Sequence, residues 1–112
     1  MQLENRKALV TGAAGGIGQA IVARLQAEGA MVAASDLDLA VSAANVLIPG
    51  DLRDTGYADG LAKAAHYALG GLDIVVNNAG IITRGAITET TDDDLARTMA
   101  INFDAPFRIC RA

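Results

Sequence analysis

Tryptophan is absent from this 112-residue chain, cysteine and histidine occur once each, proline twice, and aromatic residues make up only 4%. A lone cysteine, Cys110, cannot close an internal disulfide, so packing must hold the fold and a reduced, cytoplasmic setting is expected. With a single histidine, His66, there is no cluster at metal-ligand spacing, and no metal site is expected. Positive charge is also scarce: nine Lys and Arg face thirteen Asp and Glu, a formal net charge of −4. A nucleic-acid partner, which requires a basic face, is disfavoured. The opening residues, Met1 to Lys7, lack the apolar segment and small-residue cleavage site of a signal peptide. Ala8 to Ala23 is uncharged, but its glycines and the polar Thr11 and Gln19 do not make a bilayer-spanning helix. No membrane partner is expected.

Small and branched aliphatic residues dominate what remains, and the hydrophobic fraction is 52%. Such a composition suits helices packed on a buried sheet. The length is enough for one domain that buries roughly two-thirds of the surface its unfolded chain exposes.

Apolar runs alternate with helical patterns in the order β-α-β-(short α)-β-α-β-α, the mark of a parallel sheet with crossovers on its faces. Strands are predicted at Lys7 to Thr11, Met31 to Ser35, Val46 to Ile48 and Leu72 to Asn77. The first helix follows the glycines and runs to about Glu28, with Ile17, Ala20, Ile21, Arg24, Leu25 and Glu28 spaced at three and four, and Gly29 is its natural stop. Only nine residues, Leu37 to Asn45, join the second and third strands. That is tight for a helical crossover, so a single turn or an irregular link is expected there. Asp54 to Leu69 is a predicted helix closing at Gly70-Gly71. Thr91 three residues before Asp94 resembles a capping box opening a last helix, which carries Leu95, Met99, Asn102 and Phe103 on one side and which Pro106 is expected to kink. The acidic run Asp92-Asp93-Asp94 favours a helix N-terminus, His66 is expected to be solvated, and Cys110 is expected to be a small core residue.

The most informative segment is Thr11-Gly12-Ala13-Ala14-Gly15-Gly16-Ile17-Gly18, set between the first strand and the first helix. In that position a glycine cluster reads as a nucleotide-phosphate loop: free amide N–H groups at a helix start attract the anion, and side chains would obstruct its approach. A glycine turn that merely lets the helix pack on the strand is the plainer alternative. Asp36 lies just past the second strand, eighteen residues after Gly18, where an acidic residue hydrogen-bonds the adenosine ribose in dinucleotide-binding sheets. No Arg or Lys occupies Ala13 to Gly16, and the next position is Leu37, so nothing nearby would compensate the extra charge of NADP. The expected cofactor is NAD.

Together these residues resemble the short-chain dehydrogenase/reductase family, over the whole chain. Thr11-Gly12, Gly16 and Gly18 fit its T-G-x-x-x-G-x-G signature, while Gly15 also satisfies the T-G-x-x-G-x-x-G spacing of the extended branch. Asn77-Asn78-Ala79-Gly80 after the fourth strand matches the N-N-A-G signature of the short, classical branch and counts against an extended-branch epimerase. The resemblance implies a Rossmann-type, doubly wound parallel α/β sheet with helices on both faces. It further implies that Gly12, Gly15, Gly16, Ile17 and Gly18 seat the pyrophosphate, that Asp36 and Leu37 border the adenosine ribose, and that Asp51 and Leu52 hold the adenine. Asn78, Ala79 and Gly80 would border the nicotinamide-side ribose, Ile101 would reach the cofactor through its main chain, and Asn102 matches the helix Asn of the catalytic tetrad. The implied activity is NAD-dependent interconversion of a secondary alcohol and a ketone, with a small-molecule substrate and a homo-oligomer to which the last helix contributes.

The family's Tyr-x-x-x-Lys pair and its upstream Ser have no match: Tyr57 and Tyr67 are followed four residues later by Leu61 and Gly71. The expectation is that 1–112 is the N-terminal part of a single NAD-binding Rossmann domain, inactive alone, with an open apolar edge at Ile74-Val75-Val76. The rival reading is a catalytically silent nucleotide-binding or interaction module.

Overall fold

The computed structural model describes residues 1–40, 42–81 and 85–112. Four strands, β1 (Lys7–Thr11), β2 (Met31–Asp36), β3 (Val46–Pro49) and β4 (Ile74–Val76), form one parallel sheet in the order β3-β2-β1-β4. Helices α1 (Gly16–Ala27), α2 (Thr55–Leu69), α3 (Asp92–Met99) and α4 (Ala105–Arg111) complete the described elements, with a 3-10 turn at Ile87–Glu89 and a π-type turn at Ala100–Asp104. The central strand β1 places Leu9 between Ala33 of β2 and Val75 of β4.

Side chains of a strand alternate between faces, and this period of two divides the core. Ala8, Val10, Val32 and Ala34 point to one face, where Val22 of α1 covers them and Ile21 and Leu25 pack alongside. Leu9 and Ala33 point to the other, against Leu61, Ala65 and Leu69 of α2 and Ile109 of α4. Helices therefore cover both faces, as in a doubly wound sheet. Ala8, Leu9 and Val10 are fully buried, which explains why β1 reads as an uninterrupted apolar run. The strand β4 lies at the other edge of this sheet from β3.

Local chemistry sets the helix ends. Asp54 Oδ1 accepts from the Gly56 and Tyr57 amides at 2.9 and 3.2 Å to start α2, and Gly70 ends it in the left-handed region at φ 74°. Thr91 and Asp94 form the expected capping box at the head of α3, each side chain bonded to the other's amide.

The described part of the link between β2 and β3 carries no helix, within the two alternatives expected for it. Three expectations change in detail. The packed face of α1 is turned toward Gly18 and Val22, whereas Ile17, predicted at the head of its apolar stripe, is 73% exposed. Cys110 is exposed rather than buried, because α4 turns Ala105 and Ile109 inward and Cys110 lies one position beyond that face. The last helix does not simply kink at Pro106: between α3 and α4 it widens into a π-type turn, Ala100–Asp104, in which the Ala105 amide reaches back five residues to the Ala100 carbonyl. Proline has no N–H, so the Asn102 carbonyl lacks the donor four residues on that a regular helix supplies. His66 is exposed, as expected.

Candidate functional site

All four strands run parallel, so the loops leaving β1, β2, β3 and β4 gather at one edge, where doubly wound sheets form their crevices. From β1 the chain enters Gly12 at φ 62°, a conformation that a side chain strongly disfavours. A Cβ there would also come within 2.8 Å of the Ala79 Cα. The β4 loop lies against this turn through two further bonds: the Asn78 amide group donates to the Gly12 carbonyl at 3.1 Å, and the Ala79 N–H donates to the buried Thr11 hydroxyl at 3.1 Å. Thr11-Gly12 and Asn78-Ala79, sixty-odd residues apart in sequence, are thus one unit.

Gly18 allows the first turn of α1 to sit directly on this loop, since a Cβ would overlap the Gly12 carbonyl oxygen. Gly15 caps the helix with no side-chain bond, and the first amide with an intrahelical acceptor there is that of Gln19, bonded to the Gly15 carbonyl at 2.8 Å. The amides before it belong to the set that an α-helix leaves without internal partners, beside the positive end of its dipole. On the loop's outer side, the Gln19 amide group donates to the Ala14 carbonyl at 2.7 Å.

At the end of β2, the Asp36 carboxylate accepts from the Ala14 amide at 3.0 Å and from the Leu37 amide at 2.7 Å. It therefore ties the glycine loop to the tip of the neighbouring strand while each oxygen keeps further acceptor capacity. Beyond β3, Asp51 is engaged by Arg53, whose guanidinium donates at 2.8 and 3.1 Å to one carboxylate oxygen and at 3.2 Å to the other. The side-chain bond from Arg53 holds the Asp51 carboxyl below its ordinary range, with help from the Arg53 backbone amide, and burial opposes this weakly.

Asn102 lies in the π-type turn. Its side chain donates to the Ile81 carbonyl at 2.8 Å and accepts from the Ile81 amide at 2.9 Å, so it pairs with the backbone as a neighbouring strand would. This side chain spends its hydrogen-bonding groups on the β4 loop rather than pointing freely into solvent.

These loops enclose a cleft of about 400 Å³. Every residue assigned to cofactor contact from sequence lines it: Gly12, Gly15, Gly16, Ile17 and Gly18 on one wall, Asp36, Leu37, Asp51 and Leu52 at one end, Asn78, Ala79 and Gly80 opposite. Ile101 lines it too, whereas Asn102 stands behind it and acts on it through Ile81. Sequence reasoning missed Gly50 and Ile81. Their only signal was adjacency, each sitting next to a motif residue at the carboxyl end of a strand. The exposure of Ile17 follows from its place on the cleft wall. Neither tyrosine lines the cleft: Tyr67 is 90% exposed on α2, and the Tyr57 hydroxyl bonds Ser35 and the Ile48 carbonyl. Among the described residues, no group of three or more His, Cys, Asp or Glu could hold a metal ion, and no helix is long and apolar enough to cross a membrane.

Comparison with known proteins identifies this architecture. Galactitol 2-dehydrogenase of Agrobacterium fabrum is 35% identical over 120 aligned residues, covering 100% of this chain and 47% of that protein. A short-chain dehydrogenase from Burkholderia cenocepacia, solved in complex with NADP, superposes with a TM-score of 0.93 at 34% identity, over 99% of this chain and 50% of that one. A blue fluorescent protein from a metagenomic library, solved with NADPH, gives a TM-score of 0.91 at 36% identity, over 100% of this chain and 51% of the other. The chain spans about half the length of the curated relatives it matches. Residues 6–112 match the short chain dehydrogenase family, and with the glycine cleft joined to Asn78-Ala79 this chain belongs to that family of oxidoreductases.

Proposed function

We propose that the whole protein is an NAD-dependent dehydrogenase that interconverts a secondary alcohol and a ketone, with residues 1–112 serving as the nucleotide-binding part of one Rossmann domain. The residues fit a dinucleotide: Gly12, Gly15, Gly16 and Gly18 line the cleft at the start of a helix, two of them packed too closely against neighbouring backbone to carry a side chain, and a carboxylate closes one end. When bound, the nicotinamide ring supplies the carbon that accepts or gives up a hydride. This chain's part is orientation: Gly12 to Gly18 receive the diphosphate, Asp36 accepts from the ribose hydroxyls, and Leu52 offers an apolar wall to the adenine. Asp51, held ionised by Arg53, presents an acceptor to the adenine amino group. Asn102 fixes the loop bearing Ile81 and leaves a main-chain carbonyl able to hold a water for proton relay.

Asp36 carries the choice of NAD. A 2′-phosphate beside it would bring like charges together, and no Lys or Arg is among the described residues lining the cleft. The two solved relatives bound to NADP and NADPH define the competing outcome. Titrating the full-length protein with NADH and NADPH tests the reading: tighter NADH binding is expected, and a clear NADPH preference would sink it. The galactitol enzyme makes a polyol a reasonable first substrate to assay. We further assign the protein to the cytoplasm and to a homo-oligomer. The exposed apolar stripe Leu95, Met99, Phe103 and Phe107 supports the second assignment, which light scattering of the full-length protein would check.

A further inference from the structure

Tyr57 stands outside the cleft, yet it underlies the loop after β3 that forms one end of it. Its hydroxyl lies 2.7 Å from the Ile48 carbonyl of β3 and 2.6 Å from the hydroxyl of Ser35, a β2 residue only 1% exposed. A carbonyl can only accept, and a phenol has one proton. Tyr57 therefore donates to Ile48, and Ser35 must be the donor to Tyr57. Burial, opposed by the Ser35 bond, raises the phenol above its ordinary pKa, so it keeps the proton this arrangement needs. The ring then runs under Gly50, where any Cβ would overlap it, and packs in the same cluster as Leu52. Gly50 is further held by its amide, which donates to the Asp36 carbonyl at 3.0 Å.

We infer that Tyr57 is a positioning residue for the adenine end of the cleft: its hydroxyl ties the tips of β2 and β3 together, and its ring sets the height of the wall formed by Gly50, Asp51 and Leu52. The inference rests on the nucleotide reading above. Tyr57 keeps its backbone place whatever its side chain, because Asp54 caps α2 through the Gly56 and Tyr57 amides. Loss of the hydroxyl therefore falls on the strand tips and on the wall above the ring. The pairing is also size-matched, a bare Gly50 over a broad ring, so enlarging Gly50 should lift the wall from the opposite side.

The test compares two halves of the cofactor on the full-length protein. Calorimetry should show Tyr57→Phe weakening AMP by about five- to tenfold, the scale of one or two lost hydrogen bonds, with nicotinamide mononucleotide binding unchanged. In turnover, KM for NAD should rise while kcat stays put. Gly50→Ala, whose Cβ must push the Tyr57 ring and the loop apart from the opposite side, should weaken AMP in the same selective way and serves if Tyr57→Phe folds poorly. AMP affinity left intact in these variants, or an equal loss of both half-cofactors, overturns the inference. Wild-type protein that binds neither AMP nor NADH would instead overturn the nucleotide reading beneath it.

Discussion

Asn102 and Ile81 are joined by a pair of hydrogen bonds in which one side chain both donates to and accepts from a single residue's backbone, at 2.8 and 2.9 Å. The pair anchors the loop after β4 to the π-type turn, so the backbone geometry of the turn and the position of the cleft wall depend on each other. Replacing Asn102 with Ala removes both bonds and leaves the Ile81 groups to water. A loss of about 1–2 kcal/mol in denaturant unfolding is expected, together with lower turnover of the full-length enzyme. Unchanged turnover in a folded variant would remove Asn102 from the relay assigned to it.

Asp36→Ala should weaken NADH by about 1–3 kcal/mol, the scale of a hydrogen bond to a charged group. NADPH should suffer less, because the substitution also removes the charge that opposes its phosphate. Since the carboxylate also accepts from the Ala14 amide, the glycine loop should loosen, visible as faster amide exchange at Ala14. Equal losses for the two cofactors would argue against Asp36 as the discriminating group.

Gly18→Ala introduces a Cβ that overlaps the Gly12 carbonyl and lies 2.8 Å from the Ala13 Cα. Both contacts are backbone and cannot swing aside. The loop or the helix must shift, at a cost of about 1–3 kcal/mol in stability. Cofactor affinity should fall with it, measured by NADH fluorescence titration. By contrast, Gly16→Ala meets nothing within 4 Å and should leave the fold as stable as before by thermal unfolding.

The head of α3 predicts an acid dependence. Bonds from the Thr91 backbone amide and then its side chain hold the Asp94 carboxyl below its ordinary value of 3.8. A depressed carboxyl contributes stability that is present above its unfolded value and lost as pH falls through the folded one. Thr91→Ala should therefore destabilise the helix by about 0.5–2 kcal/mol near neutral pH. The gap from wild type should narrow as denaturant unfolding is repeated below pH 3.8. A gap that stays constant down to the lowest pH would show that the Thr91 side chain adds nothing to the lowered Asp94 carboxyl, whose bond from the backbone amide of residue 91 the substitution leaves in place.

Much of the fold was legible because its signals are local. Buried parallel strands are continuous apolar runs, and Gly29, Gly70, Asp54 and Thr91 mark helix ends through chemistry confined to a few residues. The cleft was legible for a related reason. Parallel strands bring their carboxyl ends together, so motifs placed there in sequence must meet in space. What was not legible depends on rotation and distance. Periodicity put Ile17 on the packed stripe of α1, although the family resemblance had it at the cleft, and it did not place Cys110 one step outside the packed face of α4.

The chain's own order of residues settled the strand and helix sequence, the glycine loop, and the acid that follows the second strand, because each rests on backbone conformation or on charge at a fixed spacing. Tertiary structure alone decided that Asn78 holds the Gly12 carbonyl, that Asn102 clasps Ile81 across a widened helical turn, and that Tyr57 spans Ser35 and Ile48. Those bonds join residues separated by loops and helices, and their partners are selected by packing in three dimensions, which no local pattern encodes.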